Sequence, residues 1–236
     1  MTLDWLDLAA LGLYVAIWLG YNRLTQSLCD SDRSLSSLMN RERARWMRTA
    51  LGRDLRMIDT AVLASLQQGT GFFASACIFA IGGCFALLGS AEIIAEISRD
   101  LSVAGPSNRV LVEIKLLGLV VIFAYAFFKF AWSYRLFNYC AILIGALPMR
   151  ADVEKDPEAA EAALDRAVSL NVSAGWNFNA GLRAIFFALA YLGWFLGPYV
   201  LVASTVFVVA IIANRQFRSP AYKNLKANLD RSGEAP

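Results

Sequence analysis

The residues that most often carry catalysis or hold metals are scarce in this chain of 236 residues, which has no histidine and only four cysteines. Cys77 and Cys84 lie seven residues apart and the chain has no Cys-x-x-Cys motif, a pattern that suits apolar packing better than a metal site. Without histidine, a metal centre has almost nothing to ligate it, and a nucleophile would need lysine or a carboxylate as its base. The Gly-rich pieces GTG and GG lack the spacing of a phosphate-binding loop. We therefore expect a protein that is not an enzyme and takes no cofactor and no metal.

One lysine could lie at membrane depth, because Lys129 sits within the apolar stretch FAYAFFKFAWSYR. An ionisable residue inside a membrane segment is a functional candidate by default. Lys129 is close to Trp132 and Tyr134, so a side chain reaching to the interface is the favoured interpretation.

A second polar group leads into an apolar run in DTAVLASLQQGTGFFAS. Its members are Asp59, Gln67, Thr70 and Ser75. We expect them to form hydrogen bonds between helices, with a polar binding pocket as the alternative.

The composition indicates an integral membrane protein, with 58% hydrophobic residues, 17% charged residues and a mean hydropathy of +0.49. A helix crosses the hydrocarbon in about 20 residues. Apolar segments fall at about 3–21, 68–90, 111–132 and 184–213, with helical cytoplasmic loops at about 34–67 and 156–182. The expected fold is all-α, a polytopic transmembrane helical bundle with four or five membrane segments and cytoplasmic amphipathic helices, in a single membrane domain over residues 1–236.

The last apolar segment leaves the number of crossings open. Thirty-one uncharged residues separate Arg183 from Arg215, and Gly197 and Pro198 interrupt them near the middle. A hairpin at this pair places the basic C-terminal tail with the other basic segments, but its arms are short for a core about 30 Å thick. The alternative is one tilted helix kinked at Pro198.

Arginines set the expected orientation and the expected lipid contact. The first connection is rich in arginine while the residues before the first segment have none, so we expect the N-terminus outside a bacterial inner membrane. Within residues 34–67, four arginines lie beside an apolar stripe, and Trp46 can act as an anchor. They are Arg41, Arg45, Arg48 and Arg56. The helix either lies among anionic headgroups or packs on its neighbours with solvated arginines, and the acidic segment at 156–182 can dock against the arginine face.

Three blocks of the sequence resemble a family of bacterial and plant integral membrane proteins catalogued as a domain of unknown function. They are RARWM with RMIDTAVLASLQQGTGFFAS, FFKFAWSYRLFNYCAILIGA and GLRAIFFALAYLGWFLGP. The resemblance runs from about Arg45 to about Arg218 and implies a multi-span helical protein, with no activity or cofactor to transfer. The residues that match the signature are Arg45, Trp46, Asp59, Gln67, Thr70, Ser75, Gly181, Arg183, Trp194 and Pro198.

The sequence favours a non-catalytic membrane protein, namely a scaffold, an accessory element, or an element that contacts lipid or a partner. The alternative is a transporter or channel for ions or small solutes that uses the broken last segment, because interrupted helices often mark substrate sites. Expected partners are anionic membrane lipids and either a second copy of the chain or another membrane protein. We expect no nucleic-acid partner.

Overall fold

The structure is a computed structural model that describes residues 4–28, 33–101 and 109–232. Every regular element within these residues is helical. The helices are α1 (Trp5–Ser27), α2 (Leu35–Leu51), α3 (Met57–Leu88), α4 (Ala91–Leu101), α5 (Arg109–Gly145), α6 (Arg150–Lys155), α7 (Pro157–Tyr191), α8 (Pro198–Phe217) and α9 (Pro220–Ser232), and a short 3-10 helix, Leu192–Phe195, follows α7. The predicted all-α fold is confirmed. Residue 3, where the first predicted segment begins, lies outside the described residues.

Four stretches of helix are long and apolar enough to cross a membrane: Met57–Leu88, Arg109–Gly145, Pro157–Phe195 and Pro198–Ala227. The first predicted segment, now α1, is not among them, although its 23 residues extend about 34 Å at 1.5 Å per residue. Its apolar run is bounded by polar groups, with Asp7 in its first turn and Asn22 and Arg23 near its end. Four membrane segments, the lower number of the predicted four or five, are therefore supported, and a crossing by α1 stays a prediction.

Three hydrogen bonds tie α1 to α7 and to the 3-10 helix in antiparallel order. Trp194 Nε1 donates to Asp7 Oδ1 (2.6 Å), and Tyr14 Oη donates to the Phe187 carbonyl oxygen (2.9 Å). Further along, Arg183 Nε donates to Asn22 Oδ1 (2.8 Å). The contacted residues of α7 and the 3-10 helix fall in number as those of α1 rise, so the helices are antiparallel. The contacts extend from Arg183 to Trp194, so α1 lies along the last third of α7.

The last apolar segment is a hairpin. Ser204 Oγ donates to the carbonyl oxygen of Ala190 at 2.7 Å, whereas 14 residues of straight helix would separate these groups by about 21 Å. The chain reverses at Gly197, which has φ 137° and ψ 166°. Only glycine adopts that backbone conformation without strain. Pro198 then starts α8 at the first helical position, where its missing N–H costs no hydrogen bond.

The length objection to the hairpin disappears because its first arm is longer than predicted. The sequence pattern separates a cytoplasmic helix at 156–182 from a membrane segment beginning at 184, but the structure joins them in α7, whose 35 residues extend about 52 Å. Five small residues at steps of seven line its buried face from end to end: Ala160, Ala167, Ala174, Gly181 and Ala188. This stripe allows α5 to approach closely, and at Gly181 the ring of Phe130 leaves no room for a Cβ.

The helices differ in length, which divides the molecule into two parts. The 20 residues of α8 extend about 30 Å, which matches the hydrocarbon, whereas α5 with 37 residues extends about 55 Å. The part that α8 spans is called the membrane part, and its end marked by Gly197 is called the turn end. The other part, which we call the platform, lies beyond the last turn of α8 at Gln216. It consists of α2 and of residues 57–69 of α3, 138–145 of α5 and 157–178 of α7. Its core includes Met47, Leu63, Cys140 and Leu164.

The predicted single helix over residues 34–67 is two helices, α2 and α3. Gly52 ends α2, and residues 53–56 form a turn before α3 begins at Met57. The apolar spacing continues across this break, because the spacing of residues does not show that the chain changes direction there. As a result Arg56 is not on the face of α2, and Leu55 and Ile58 are exposed instead of buried in one stripe.

We expect Gly197→Ala to lower the stability of the protein by about 1 to 3 kcal/mol, because alanine would be held at a φ and ψ that only glycine adopts readily. The matched control is Gly12→Ala, at a helical glycine with no atom within 4 Å of an added Cβ. The measurement is unfolding in detergent of both variants and the wild type. An equal effect of the two substitutions would contradict a strained turn at Gly197.

Candidate functional site

Asp59 is a fully buried carboxylate that joins α2, α3 and the turn between them. Its Oδ1 accepts from Trp46 Nε1 at 2.7 Å and from Arg53 Nη1 at 2.6 Å, while its Oδ2 is buried without a hydrogen-bond partner within the described chain. Trp46, the predicted membrane anchor, is therefore half-buried in the platform with its indole N–H on Asp59. These hydrogen bonds hold α2, α3 and the turn between them together. Trp46 and Asp59 both match the signature of the resemblance.

Arg56, a predicted lipid contact, caps the C-terminal end of α5. Its Nη1 donates to the carbonyl oxygens of Ile144 (3.4 Å), in the last turn of α5, and of Leu147 (2.8 Å), and its Nη2 donates to that of Pro148 (2.6 Å). Its Nε donates to the carbonyl oxygen of Ala50 (3.2 Å), in the last turn of α2. Terminal carbonyls of a helix have no partner within it, and a cation there also complements the helix dipole. The structure thus gives Arg56 a structural contact.

The three other predicted arginines lie on α2, which packs lengthwise along α7. Arg41 is half-buried, and Arg45 and Arg48 are exposed. The contact predicted with the acidic segment includes the ion pair of Arg48 with Glu161 at 3.3 Å, in which both side chains are more than half exposed. Such a pair adds little stability. α2 therefore packs on α7, as one of the two alternatives expects, and the contact of Arg41, Arg45 and Arg48 with lipid headgroups stays a prediction.

Arg43 makes a half-buried polar contact between α2 and α7, and the sequence did not indicate it. Its Nη1 donates to Asn171 Oδ1 at 2.6 Å, and the guanidinium lies so close to Gly175 that a Cβ there would be 2.7 Å from Arg43 Cζ. Burial lowers the pKa of Arg43 below the usual value for arginine, while the nearby Cys140 thiol acts in the opposite direction. Arginine titrates so high that the group stays charged at neutral pH.

The polar group predicted at the start of the second apolar run is only partly brought together. Gln67 Nε2 donates to Asn138 Oδ1 of α5 at 2.8 Å, which is the predicted hydrogen bond between helices. Thr70 is buried and donates back to the Leu66 carbonyl oxygen within α3, and Ser75 is exposed. Asp59 lies three turns away in the platform.

Lys129 and Arg183 lie at the level where α1 ends. Lys129 Nζ is 4.9 Å from the centre of the Trp176 ring and 3.4 Å from Asn177 Oδ1. Arg183 is almost fully buried and holds Asn22 of α1. Two cations are thus placed among amides and aromatic rings at the junction between the membrane part and the platform.

Gly197 and Pro198 are buried at the turn end, near Trp194, which binds two charged side chains in a contact that the sequence did not indicate. Lys115 Nζ donates to the Trp194 carbonyl oxygen at 2.7 Å and lies over the Trp194 ring, while the indole N–H of Trp194 binds Asp7. The sequence signal was only that Lys115 directly precedes an uncharged run. The long separations of these partners, 79 and 187 residues, explain why spacing could not find them.

A cleft of about 310 Å³ opens at the junction between α2, α3, α5, α7 and the end of α8. Its lining combines apolar and polar side chains from all five helices: Leu35, Ser36, Met39, Arg43, Ser65, Leu66, Gly69, Thr70, Phe137, Phe178, Asn179 and Gln216. A much smaller cavity of about 10 Å³ adjoins it, sharing Ser36 and Asn179 and reaching Arg183. Within the described residues, neither lining includes a carboxylate, so the chemistry offered is that of an anion site with an apolar wall.

A family model described as "Protein of unknown function, DUF599" matches residues 9–221. The match covers most of the chain and confirms the resemblance derived from the three sequence blocks. Comparison with curated proteins and with solved structures found no match.

We expect Asp59→Ala to destabilise the protein by about 2 kcal/mol, because it leaves the Trp46 N–H and the Arg53 guanidinium without their acceptor. Breaking a fully buried pair costs about 3 to 5 kcal/mol, and the figure is reduced because the Arg53 side chain is 35% exposed. Chemical unfolding in detergent measures the change, and Ser75→Ala, at an exposed position of the same helix, is the control. Wild-type stability of Asp59→Ala would contradict the structural role given to the Asp59 hydrogen bonds.

Proposed function

We propose a non-catalytic role for this chain, which belongs to the family described as protein of unknown function, DUF599. In this proposal it is an integral protein of a bacterial inner membrane, with its N-terminus outside and its platform in the cytoplasm. The platform is a scaffold that presents one apolar face to a protein partner and its arginines to anionic lipid headgroups.

The observation that carries the proposal is an exposed apolar patch on the platform. Leu55, Met57, Ile58 and Val62 are 77%, 75%, 67% and 41% exposed. Met57 begins α3 thirteen residues before Thr70, which lines the cleft at the level of the end of α8, so the patch extends to about 20 Å beyond that level. Apolar side chains on the outer face of a span contact lipid, but outside the hydrocarbon a contiguous apolar patch marks a contact with another protein.

The use of the buried charged groups supports a scaffold instead of an enzyme. Asp59, Arg56 and Lys115 each hold two or more segments of the chain together through hydrogen bonds. A catalytic acid or base needs access to substrate, and these groups are engaged with the chain itself. Within residues 4–28, 33–101 and 109–232, no three metal-binding side chains come together.

The geometry of the Gly197–Pro198 break supports the scaffold over the alternative of a transporter. Discontinuous helices that bind substrate are interrupted near the middle of the membrane. Here the break is the turn between two spans, where the Gly197 N–H donates to the Trp194 carbonyl oxygen (3.2 Å) and Lys115 Nζ donates to the same oxygen (2.7 Å). An uninterrupted α8 follows it.

The position of the basic residues supports the orientation. The arginines of α2 and the basic residues that end α8 and begin α9 lie at the platform end, while α1 begins at the turn end. Positive residues near span ends are retained in the cytoplasm.

Cysteine labelling in intact cells tests the orientation. In a background without native cysteines, we expect Tyr199→Cys at the turn end to react with a membrane-impermeant maleimide. Thr49→Cys in α2 and Ala221→Cys in α9, both exposed positions, should react only after permeabilisation. Labelling of Thr49→Cys in intact cells would reverse the orientation.

Photo-crosslinking in native membranes tests the scaffold. A photoreactive amino acid at Ile58 or Val62 should give discrete protein adducts, because these side chains form the exposed apolar patch. The control is Phe207, which is 65% exposed on α8 within the membrane part and should give no protein adduct. Adducts at Phe207 alone, or at none of the three positions, would contradict the proposed partner face.

A further inference from the structure

The cleft at the junction has the size and composition of a ligand site. Small-molecule sites are mostly apolar cavities of about 300 to 1,000 Å³ with a few placed polar groups, and this cleft measures about 310 Å³. Phe137, Phe178 and Met39 supply apolar wall, and Arg43 supplies charge. A ligand that fits has an apolar part and an anionic part.

Arg43 has donors left for a ligand. Both hydrogen bonds that the structure gives this side chain leave from Nη1, to the side chain and backbone oxygens of Asn171. A guanidinium carries five N–H donors in a planar fork that matches phosphate. Asn171 is neutral, so the positive charge of Arg43 is oriented by its partner without being neutralised.

Two further cations lie at the small cavity that adjoins the cleft. Arg183 lines this cavity, and Lys129 Nζ lies 4.9 Å from the centre of the ring of Trp176, which lines it too. Lys129 is also close enough to Arg183 for the two charges to repel each other. The partners of Lys129 within the described chain are the Asn177 amide and the rings of Trp176 and Tyr125. Like charges held close together in a partly buried place are stabilised when an anion binds between or beside them.

The position of the cleft along the helix axes indicates which anion it binds. It lies at Gln216, in the last turn of α8, whose 20 residues match the hydrocarbon thickness. Phospholipid phosphates lie at that depth, and basic pockets between membrane helices bind anionic headgroups. A lipid also supplies the apolar part, through the first carbons of its chains.

We propose that the cleft binds the headgroup of one anionic phospholipid from the leaflet on the platform side. Its phosphate accepts hydrogen bonds from Arg43 Nη2 and Nε, its glycerol end lies against Phe178 and Met39, and Lys129 and Arg183 add long-range attraction. This inference makes the lipid contact of the proposed function more specific. It rests on the proposed function, which places an anionic leaflet beside the platform.

Native mass spectrometry of the full chain in detergent tests the site, with phosphatidylglycerol as the anionic probe and phosphatidylcholine as the zwitterionic one. We expect one retained phosphatidylglycerol per chain and weaker retention of phosphatidylcholine. Arg43→Gln should weaken phosphatidylglycerol binding about tenfold or more, since it removes charge-assisted hydrogen bonds. The matched control is Arg48→Gln, which removes the same charge from an exposed position of the same helix.

A second variant keeps every charge. Gly69 lines the cleft with no atom within 4 Å of an added Cβ, so Gly69→Leu should fill part of the cleft, leave the melting temperature of the lipid-free protein near that of the wild type, and weaken binding. If Arg43→Gln unfolds the protein, this variant decides the matter. Unchanged binding by a folded Gly69→Leu overturns the inference.

The other outcomes separate the inference from the proposed function. If Arg48→Gln weakens binding as much as Arg43→Gln, lipid is held by general surface charge, so the inference fails while the lipid contact of the scaffold stands. If phosphatidylglycerol and phosphatidylcholine bind alike, both fail. If inorganic phosphate protects the chain against heat and phosphatidylglycerol does not, the cleft takes a free anion and the lipid inference fails. Crosslinking at Ile58 is independent of all three results.

Discussion

Close approach to α7 is the constraint on which the rest of the structure depends. Side chains from three helices donate hydrogen bonds to carbonyl oxygens along this helix and the 3-10 helix after it: Tyr14 of α1, Ser133 and Lys115 of α5, and Ser204 of α8. Short side chains such as serine reach a helix backbone only when small residues line the contact. Alanine and glycine at every seventh position of α7 provide this, and lipid offers no hydrophobic force that could replace it.

The sequence predicted the elements best where the signal was local. Apolar runs located α3, α5 and the last hairpin. The helical loop predicted from about residue 156 begins where α7 does, and there Asp156 accepts from the Ala159 N–H before Pro157 at the first helical position. The continuity of α7 was missed, because hydropathy falls where the chain leaves the hydrocarbon while the helix does not end. The repeat of small residues at steps of seven was visible in the sequence and would have shown it.

The candidate site was predicted less well, for a physical reason. Arginines on one face of α2 were identified by helical spacing, and the same spacing gives no information on which of them is buried. Arg43 is paired with a residue 128 positions away, and Arg56 leaves the pattern because the helix breaks at Gly52. Residues that appeared as lipid contacts, Trp46 and Arg56, hold the platform together, whereas Arg43, which appeared unremarkable, lines the cleft.

The order in which the chain is made has a consequence for the platform. Its core joins Met47 of α2 to Leu164 of α7, so more than one hundred residues must be synthesised after α2 before its buried face is covered. Domains fold from the N-terminus during synthesis, and α2 therefore emerges from the ribosome with Leu38, Met47 and Ala50 unprotected. The nascent protein therefore passes through a stage in which α3 and α5 are made and the platform is unassembled, and packing of α7 against α2 ends the exposure of this face to proteases and chaperones.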